Sequence, residues 1–326
     1  MPVLPTPDYR PPLLFRSGNF ATLYPSLFRT TPNHSVPARE RIETPDGDYL
    51  DIDRHGNDTR RSKRLAIISH GLEGNARKKY TLGMANMALS LGFDAVCWDQ
   101  RGAGKEPNRK LRSYHSGETT DLHTVVTHCL KGEYTEVALI GFSMGGNQIL
   151  KYLGEDPNRV PQQVKIAVTF SVPCDLSATE RVIALPSRHI YFQYFMKGLR
   201  EKVRTKAEIY PEEVNANDLK SVRNLRDFDD LFTAPNNGFK DADDYYTQSS
   251  SLQFLPRIAI PTLLVQAQND PFLAQECFPV TEAQDNPNLY LEMPEYGGHV
   301  GFHLPGGENV YWSEKRAAQF LKTSLC

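Results

Sequence analysis

Short apolar, β-branched runs alternate along this chain with longer stretches of helical periodicity, and that alternation leaves few architectures open. Arg64 to His70 (RLAIISH), Phe93 to Asp99 (FDAVCWD), Glu136 to Ser143 (EVALIGFS) and Lys165 to Pro173 (KIAVTFSVP) read as strands. The intervening YTLGMANMALSLG, a stretch beginning near Glu118, and MGGNQILKYLG read as helices. Leu82, Ala85, Met87, Ala88 and Leu91 approximate one face of the first, and Leu122, Val125, Val126, Cys129 and Leu130 turn inward on the second. Apolar strands joined by helices pack as a mostly parallel sheet covered on both faces. Pro261 to Gln268 (PTLLVQAQ) and Asn288 to Pro294 (NLYLEMP) add two strands, and VYWSEKRAAQFLK adds a last helix.

The remaining segments set the organisation. Residues 1–40 are too rich in proline for a regular element and are predicted to lie across the body as an extended arm. The core is then built from residues 41–171 and 257–326. Residues 172–256 break the alternation with charged, aromatic and turn-forming residues and helical pieces, including RVIALPSRHIYFQYFMKGLREKV, and read as a cap inserted over the sheet's C-terminal edge. With 326 residues, 40% of them hydrophobic, the chain can bury such a core.

Charge and cysteine usage narrow the partners. Lys and Arg number 37 against 39 Asp and Glu, which leaves no excess positive charge for nucleic acid or an anionic membrane. Cys97, Cys129, Cys174, Cys277 and Cys326 are odd in number and form no CxxC pair, as expected of reduced thiols in a cytosolic protein. The apolar run Leu13 to Phe15 is too short for a signal-peptide core, and no stretch of ~18 apolar residues offers a membrane span. The sequence therefore predicts a soluble, cytoplasmic protein without stable membrane insertion and leaves the oligomeric state open.

The chemistry starts at Gly141 to Asn147 (GFSMGGN). A G-x-S-x-G match alone is weak, with about 0.1 expected by chance in a chain this long. Its position between a strand and a helix carries the case: at such a corner a Cβ on Gly141 or Gly145 would meet neighbouring backbone, and the turn projects the Ser143 hydroxyl off the sheet edge. A neutral serine needs a general base, and a histidine in that role needs a carboxylate to fix its tautomer. Asp270 (QNDPF) and His299 (YGGHVGF) follow in that order, each in a loop after a strand, where open α/β sheets build their sites. Backbone N–H groups of Met144 and of Leu72, in the loop HGLEG, are the candidates for an oxyanion hole. No cofactor or metal is required.

The segments HGLEG, RGAGKEPNR, YHSGET, GFSMGGN, NDPF and GGHVGF, in this order over residues 70 to 302, closely resemble the YheT-like branch of the α/β-hydrolases. RPPLLFRSGNFATLYPSLFR is similar to that family's N-terminal segment. The resemblance implies an α/β-hydrolase fold with a cap, a triad of Ser143, Asp270 and His299, and esterase or lipase-like acyl chemistry on a small-molecule ester or lipid. Members include carboxylesterases, phospholipases and acyl-alcohol transferases, so the resemblance leaves the substrate open. The chain departs from the family at Ala103, Gly104 and Lys105, where members often read RGCSGEPNR, and at Asn269, where they carry a second Asp. An H-x4-D motif tied to acyl transfer in some relatives is absent, which favours hydrolysis over transfer to an alcohol or thiol. A third alternative is a non-catalytic member that binds a lipid or a protein.

Several residues have a plainer reading beside a sharper one. Asp175 is a rival acid but suits a helix cap, and His70 suits a loop anchor better than a base. His299 and His303 lack the Glu of a zinc helix, and GAGK (Gly102 to Lys105) lacks the spacing of a phosphate loop and reads as a turn near the pocket rim. Ser116 is placed to cap the helix near Glu118. Ser249 to Ser251 read as loop. The aromatics of VIALPSRHIYFQYFMKGL can pack cap on body or line an acyl pocket.

Overall fold

A computed structural model describes residues 3–31, 36–56, 62–304 and 309–324. Eight strands form one sheet: β1 (Ala38–Glu43), β2 (Tyr49–His55), β3 (Arg64–Ser69), β4 (Asp94–Asp99), β5 (Glu136–Phe142), β6 (Val164–Phe170), β7 (Thr262–Val265) and β8 (Leu289–Glu292). They lie in the order β1-β2-β4-β3-β5-β6-β7-β8. The pairs β1/β2 and β2/β4 are antiparallel and the rest are parallel. Leu65 and Ile67 enter one core cluster while Ala66 and Ile68 enter another, so both faces of β3 are buried. That is why Leu65 to Ile68 read as one apolar run instead of an alternating one.

Register positions the chemistry. Ser69 is opposite Gly141, Gly141 opposite Thr169, Phe170 opposite Val265, and Val265 opposite Glu292. The parallel strands β3, β5, β6, β7 and β8 therefore end level, and the loops that follow them gather at one edge. Helices α2 (Lys79–Ser90), α3 (Thr120–Cys129) and α4 (Met144–Glu155) connect strands in this half, and the helix Trp312–Ser324 follows β8.

The arm and the start of α3 differ from expectation. The sequence reading finds no regular element before residue 41, yet a 3-10 turn covers Leu13–Arg16, helix α1 covers Gly18–Phe28, and β1 begins at Ala38. The prolines cluster before Leu13 and after Thr31, which leaves only Pro25 inside α1, and the Ser17 hydroxyl caps the helix by accepting from the Phe20 N–H. Ser116 does not cap α3. The Glu118 carboxylate accepts from the Thr120 and Asp121 N–H groups instead, and the Ser116 carbonyl accepts from the Asn147 side chain.

Between β6 and β7 the chain is helical. The longest piece is α6 (His189–Ile209), separated from α5 (Leu176–Ile183) at Pro186, whose missing N–H keeps the two from joining. Further helices include Leu225–Phe228 and Ala242–Ser249; the latter takes Ser249 out of the predicted loop. Tyr191, Phe192, Phe195 and Met196 of α6 form one apolar cluster with Phe228 and with Phe272 of the loop after β7. Cys97, Cys129, Cys174 and Cys277 are buried free thiols, whereas Cys326 lies outside the described residues. No helix among the described residues is long and apolar enough to cross a membrane.

Candidate active site

Ser143 stands between β5 and α4 with φ 52° and ψ −122°, a conformation that a side-chain-bearing residue adopts only under constraint. Its N–H donates to the Phe170 carbonyl at 2.9 Å and its carbonyl accepts from the Asn147 N–H at 3.0 Å, which fixes the corner to β6 and to α4. A Cβ on Gly141 would lie 2.7 Å from the Gly145 carbonyl oxygen, and one on Gly145 would lie 2.5 Å from the His70 carbonyl oxygen. Both contacts are with backbone, which cannot swing aside. Gly145→Ala is therefore expected to cost about 1–3 kcal/mol of stability by forcing α4 off the end of β3. Chemical denaturation of the variant measures it, and an unchanged midpoint would show that the corner has slack.

The loops after β7 and β8 bring two further side chains to this corner. His299 Nε2 lies 2.8 Å from Ser143 Oγ, and His299 Nδ1 lies 2.9 Å from Asp270 Oδ2. The carboxylate can only accept, so Nδ1 carries the proton and Nε2 accepts from the serine hydroxyl. The Asp270 side chain is fully buried, and its other oxygen accepts from the Phe272 N–H at 2.9 Å.

Three side chains hold the histidine loop, of which only Asn269 stands out in the sequence. The His299 N–H donates to Thr22 Oγ1 of α1 at 2.8 Å, the Val300 N–H donates to Ser171 Oγ at 3.0 Å, and the Gly298 N–H donates to Asn269 Oδ1 at 2.9 Å. Asn269 also donates to the Arg16 carbonyl at 2.9 Å. An aspartate at 269 could accept but could not make that second bond. The departure from the family pattern thus ties the arm to the site.

The other candidates sort themselves by partner. Asp175 caps α5 by accepting from the Ala178 N–H at 2.9 Å. His70 donates from Nδ1 to the Gly71 carbonyl at 2.8 Å and accepts at Nε2 from the Gln100 N–H at 3.1 Å. Complete burial pushes its pKa down to about 3, so the ring stays neutral. The His303 ring stacks on Phe15 at 3.9 Å. Among the described residues no three His, Cys, Asp or Glu side chains form a group that could hold a metal.

The loop HGLEG runs beside the serine: a Cβ on Gly71 would lie 3.0 Å from Ser143 Cβ. Neither the Leu72 N–H nor the Met144 N–H has a hydrogen-bond partner among the described residues, and both residues line the same cavity as Ser143 and His299. Glu73 follows with φ 54°, and its carboxylate accepts from the Tyr114 hydroxyl and from the Lys202 ammonium of α6. The loop is thereby fastened to α6 and to the segment YHSGE.

The cavity measures about 490 Å³. Its walls include the apolar side chains of Leu176, Ile183, Leu199, Phe228 and Phe232. Gly102, Gly104 and Lys105 of the GAGK turn also line it. Asp229 belongs to the same wall; its carboxyl accepts from the Tyr246 hydroxyl at 2.8 Å, and burial pushes its pKa up to about 7. A raised carboxyl pKa stabilises the fold at low pH, where the acid is neutral. That contribution is lost as pH rises from about 4, the ordinary aspartate value, through about 7. Asp229→Asn, neutral throughout, is expected to be more stable than the parent by on the order of 2 kcal/mol at pH 8 and no more stable at pH 4. Melting temperatures across that range test the crossover.

Comparison with known proteins follows the same lines. The sequence profile of the α/β-hydrolase fold matches residues 67–304. YheT of Escherichia coli K12, provisionally named an esterase, is 36% identical over 319 residues, covering 95% of this chain and 92% of that one. The phospholipase ABHD3 of Bos taurus is 30% identical over 272 residues, covering 81% of this chain and 66% of its own. The monoacylglycerol lipase of Saccharomyces cerevisiae is 28% identical over 300 residues, covering 89% and 64%. Among solved structures, the Pyrococcus furiosus esterase Pf2001 matches with a TM-score of 0.61 at 20% identity, covering 91% of this chain and 96% of that one.

Proposed function

This chain belongs to the α/β-hydrolase family, in its YheT-like branch, and from that premise we propose that it is a serine hydrolase of carboxylic esters. The observation that carries the reading is the unbroken relay from Ser143 Oγ through His299 to Asp270, at 2.8 and 2.9 Å, opening on one cavity. The relatives named as esterase, phospholipase and monoacylglycerol lipase support the substrate class.

In the proposed mechanism Ser143 Oγ attacks the acyl carbon while its proton passes to His299 Nε2. The charge that develops on the acyl oxygen is met by the N–H groups of Leu72 and Met144. Collapse of the tetrahedral species breaks the bond to the alcohol oxygen, which takes the proton from His299 and leaves. Water then attacks the acyl-serine with His299 again as base, releasing the carboxylic acid and restoring the serine hydroxyl. Asp270 keeps Nδ1 protonated and stabilises the imidazolium formed in each half. The helices between β6 and β7 serve as a cap whose apolar side chains take the acyl chain, and Glu73, fastened to Lys202 and Tyr114, sets the height of the oxyanion loop.

A panel of esters of graded acyl length tests the assignment, with labelling by a fluorophosphonate probe as a second readout. Saturable hydrolysis and labelling at Ser143 are expected. Ester formation at the expense of free acid when alcohol is added would convert the reading to acyl transfer, and absence of both turnover and labelling would sink it.

A further inference from the structure

Helices α1 and α6 border the site from two directions. Thr22 of α1 holds the His299 backbone, and Phe195, Leu199 and Lys202 of α6 line the cavity. The two helices also touch: the Tyr191 hydroxyl donates to Asn19 Oδ1 at 2.8 Å, and Leu23 packs into the cluster of Tyr191, Phe195 and Phe272. Leu27 and Phe28 of α1, Ile190 and Tyr194 of α6, and Leu13 and Leu14 of the 3-10 turn that precedes α1 stand between 55% and 77% exposed. Single exposed apolar residues are ordinary; this many on two adjoining helices and the turn that leads into one of them are not.

The charge around them is one-sided. No Asp or Glu occurs between Asp8 and Glu40 or between Glu180 and Glu201, in a chain that carries 39 of them. Arg188 bonds only Asn19, Arg200 bonds only Gln193, and Lys197 is exposed on the same α6 face as Ile190 and Tyr194. None of these three cations has a carboxylate partner among the described residues. The near balance of charge over the whole chain hides this segregation.

We infer that the outer face of α1 and α6 docks on an anionic lipid surface and delivers lipid-borne esters to the cavity. The inference rests on the esterase reading for its purpose but not for its physics. Aliphatic and tyrosyl groups ringed by unpaired Lys and Arg match the interfacial pattern, in which apolar side chains enter the acyl boundary and cations meet lipid headgroups. A second copy of the chain is a poor occupant, because a twofold contact would set Arg188, Lys197 and Arg200 against their mates. No helix among the described residues spans the bilayer, so the docked protein lies on it.

Flotation with vesicles of phosphatidylcholine alone, or of phosphatidylcholine mixed with phosphatidylglycerol, tests the surface. Using Ser143→Ala protein keeps binding separate from turnover. Binding to the anionic vesicles is expected to exceed binding to neutral ones by roughly tenfold and to fall away at about 1 M salt. Lys197→Glu, and separately the Ile190→Asp/Tyr194→Asp pair, should each weaken it by about tenfold while hydrolysis of a soluble short-chain ester by the otherwise unchanged enzyme stays at the parent rate. Should the apolar pair fail to fold, Lys197→Glu and the salt dependence still decide. Equal binding to neutral vesicles, no binding, or undiminished binding by the variants overturns the proposal. A dimer in vesicle-free buffer that Ile190→Asp dissolves also overturns it, in favour of self-association. Lost vesicle binding with intact turnover removes the docking surface alone, and retained binding without turnover removes the esterase reading alone.

Discussion

Ester hydrolysis by the Ser143→Ala variant is expected to fall by at least ~10³-fold, toward ~10⁶-fold, with the melting temperature close to that of the parent. The size of the loss follows from the geometry. The serine, His299 and Asp270 are joined at 2.8 and 2.9 Å, so removing the hydroxyl leaves the other two with nothing to activate. What survives is whatever the backbone N–H groups and the cavity contribute to the direct attack of water. The fold is insensitive because the Ser143 bonds that hold the corner are made by its backbone N–H and carbonyl, which alanine keeps. Turnover on a soluble short-chain ester measures the effect, and a rate within tenfold of the parent would mean that the reaction uses a different nucleophile.

Asp270→Asn is expected to lower turnover by about 10⁴-fold. An amide can present an N–H to His299 Nδ1, which would move the ring proton to Nε2 and turn the base into a donor toward the serine. Asp175→Asn is the control: the side chain that caps α5 through the Ala178 N–H can be replaced by another good cap with little effect on rate. The pair of variants separates the two acids that sequence order alone leaves in play. Loss of rate at 175 with retention at 270 would transfer the role to the loop after β6.

The legible part of this molecule is the part whose signals are local. β3, β5 and β6 are buried on both faces and read as apolar runs, and Gly141 answers to contacts made within its own strand-turn-helix corner, Gly145 to the end of the neighbouring β3. Positions 143, 270 and 299, singled out because each follows a strand, do come within hydrogen-bonding reach, since parallel strands in register bring their C-terminal ends to one edge. β1 and β2 are illegible for the opposite reason. Arg39 and Arg41 pair with Asp53 and Asp51 across the two strands, so charge complementarity stands where an apolar period would have been visible. The supporting bonds escape notice because they are non-local. Nothing near Thr22 or Lys202 in the sequence announces that one grips the histidine loop and the other, through Glu73, the loop HGLEG.

The bond from the His299 N–H to Thr22 spans 277 residues. Closing a contact between partners so distant along the chain costs loop entropy that no local interaction offsets, so the imidazole gains this support only when α1 and the loop after β8 have both docked on the finished sheet.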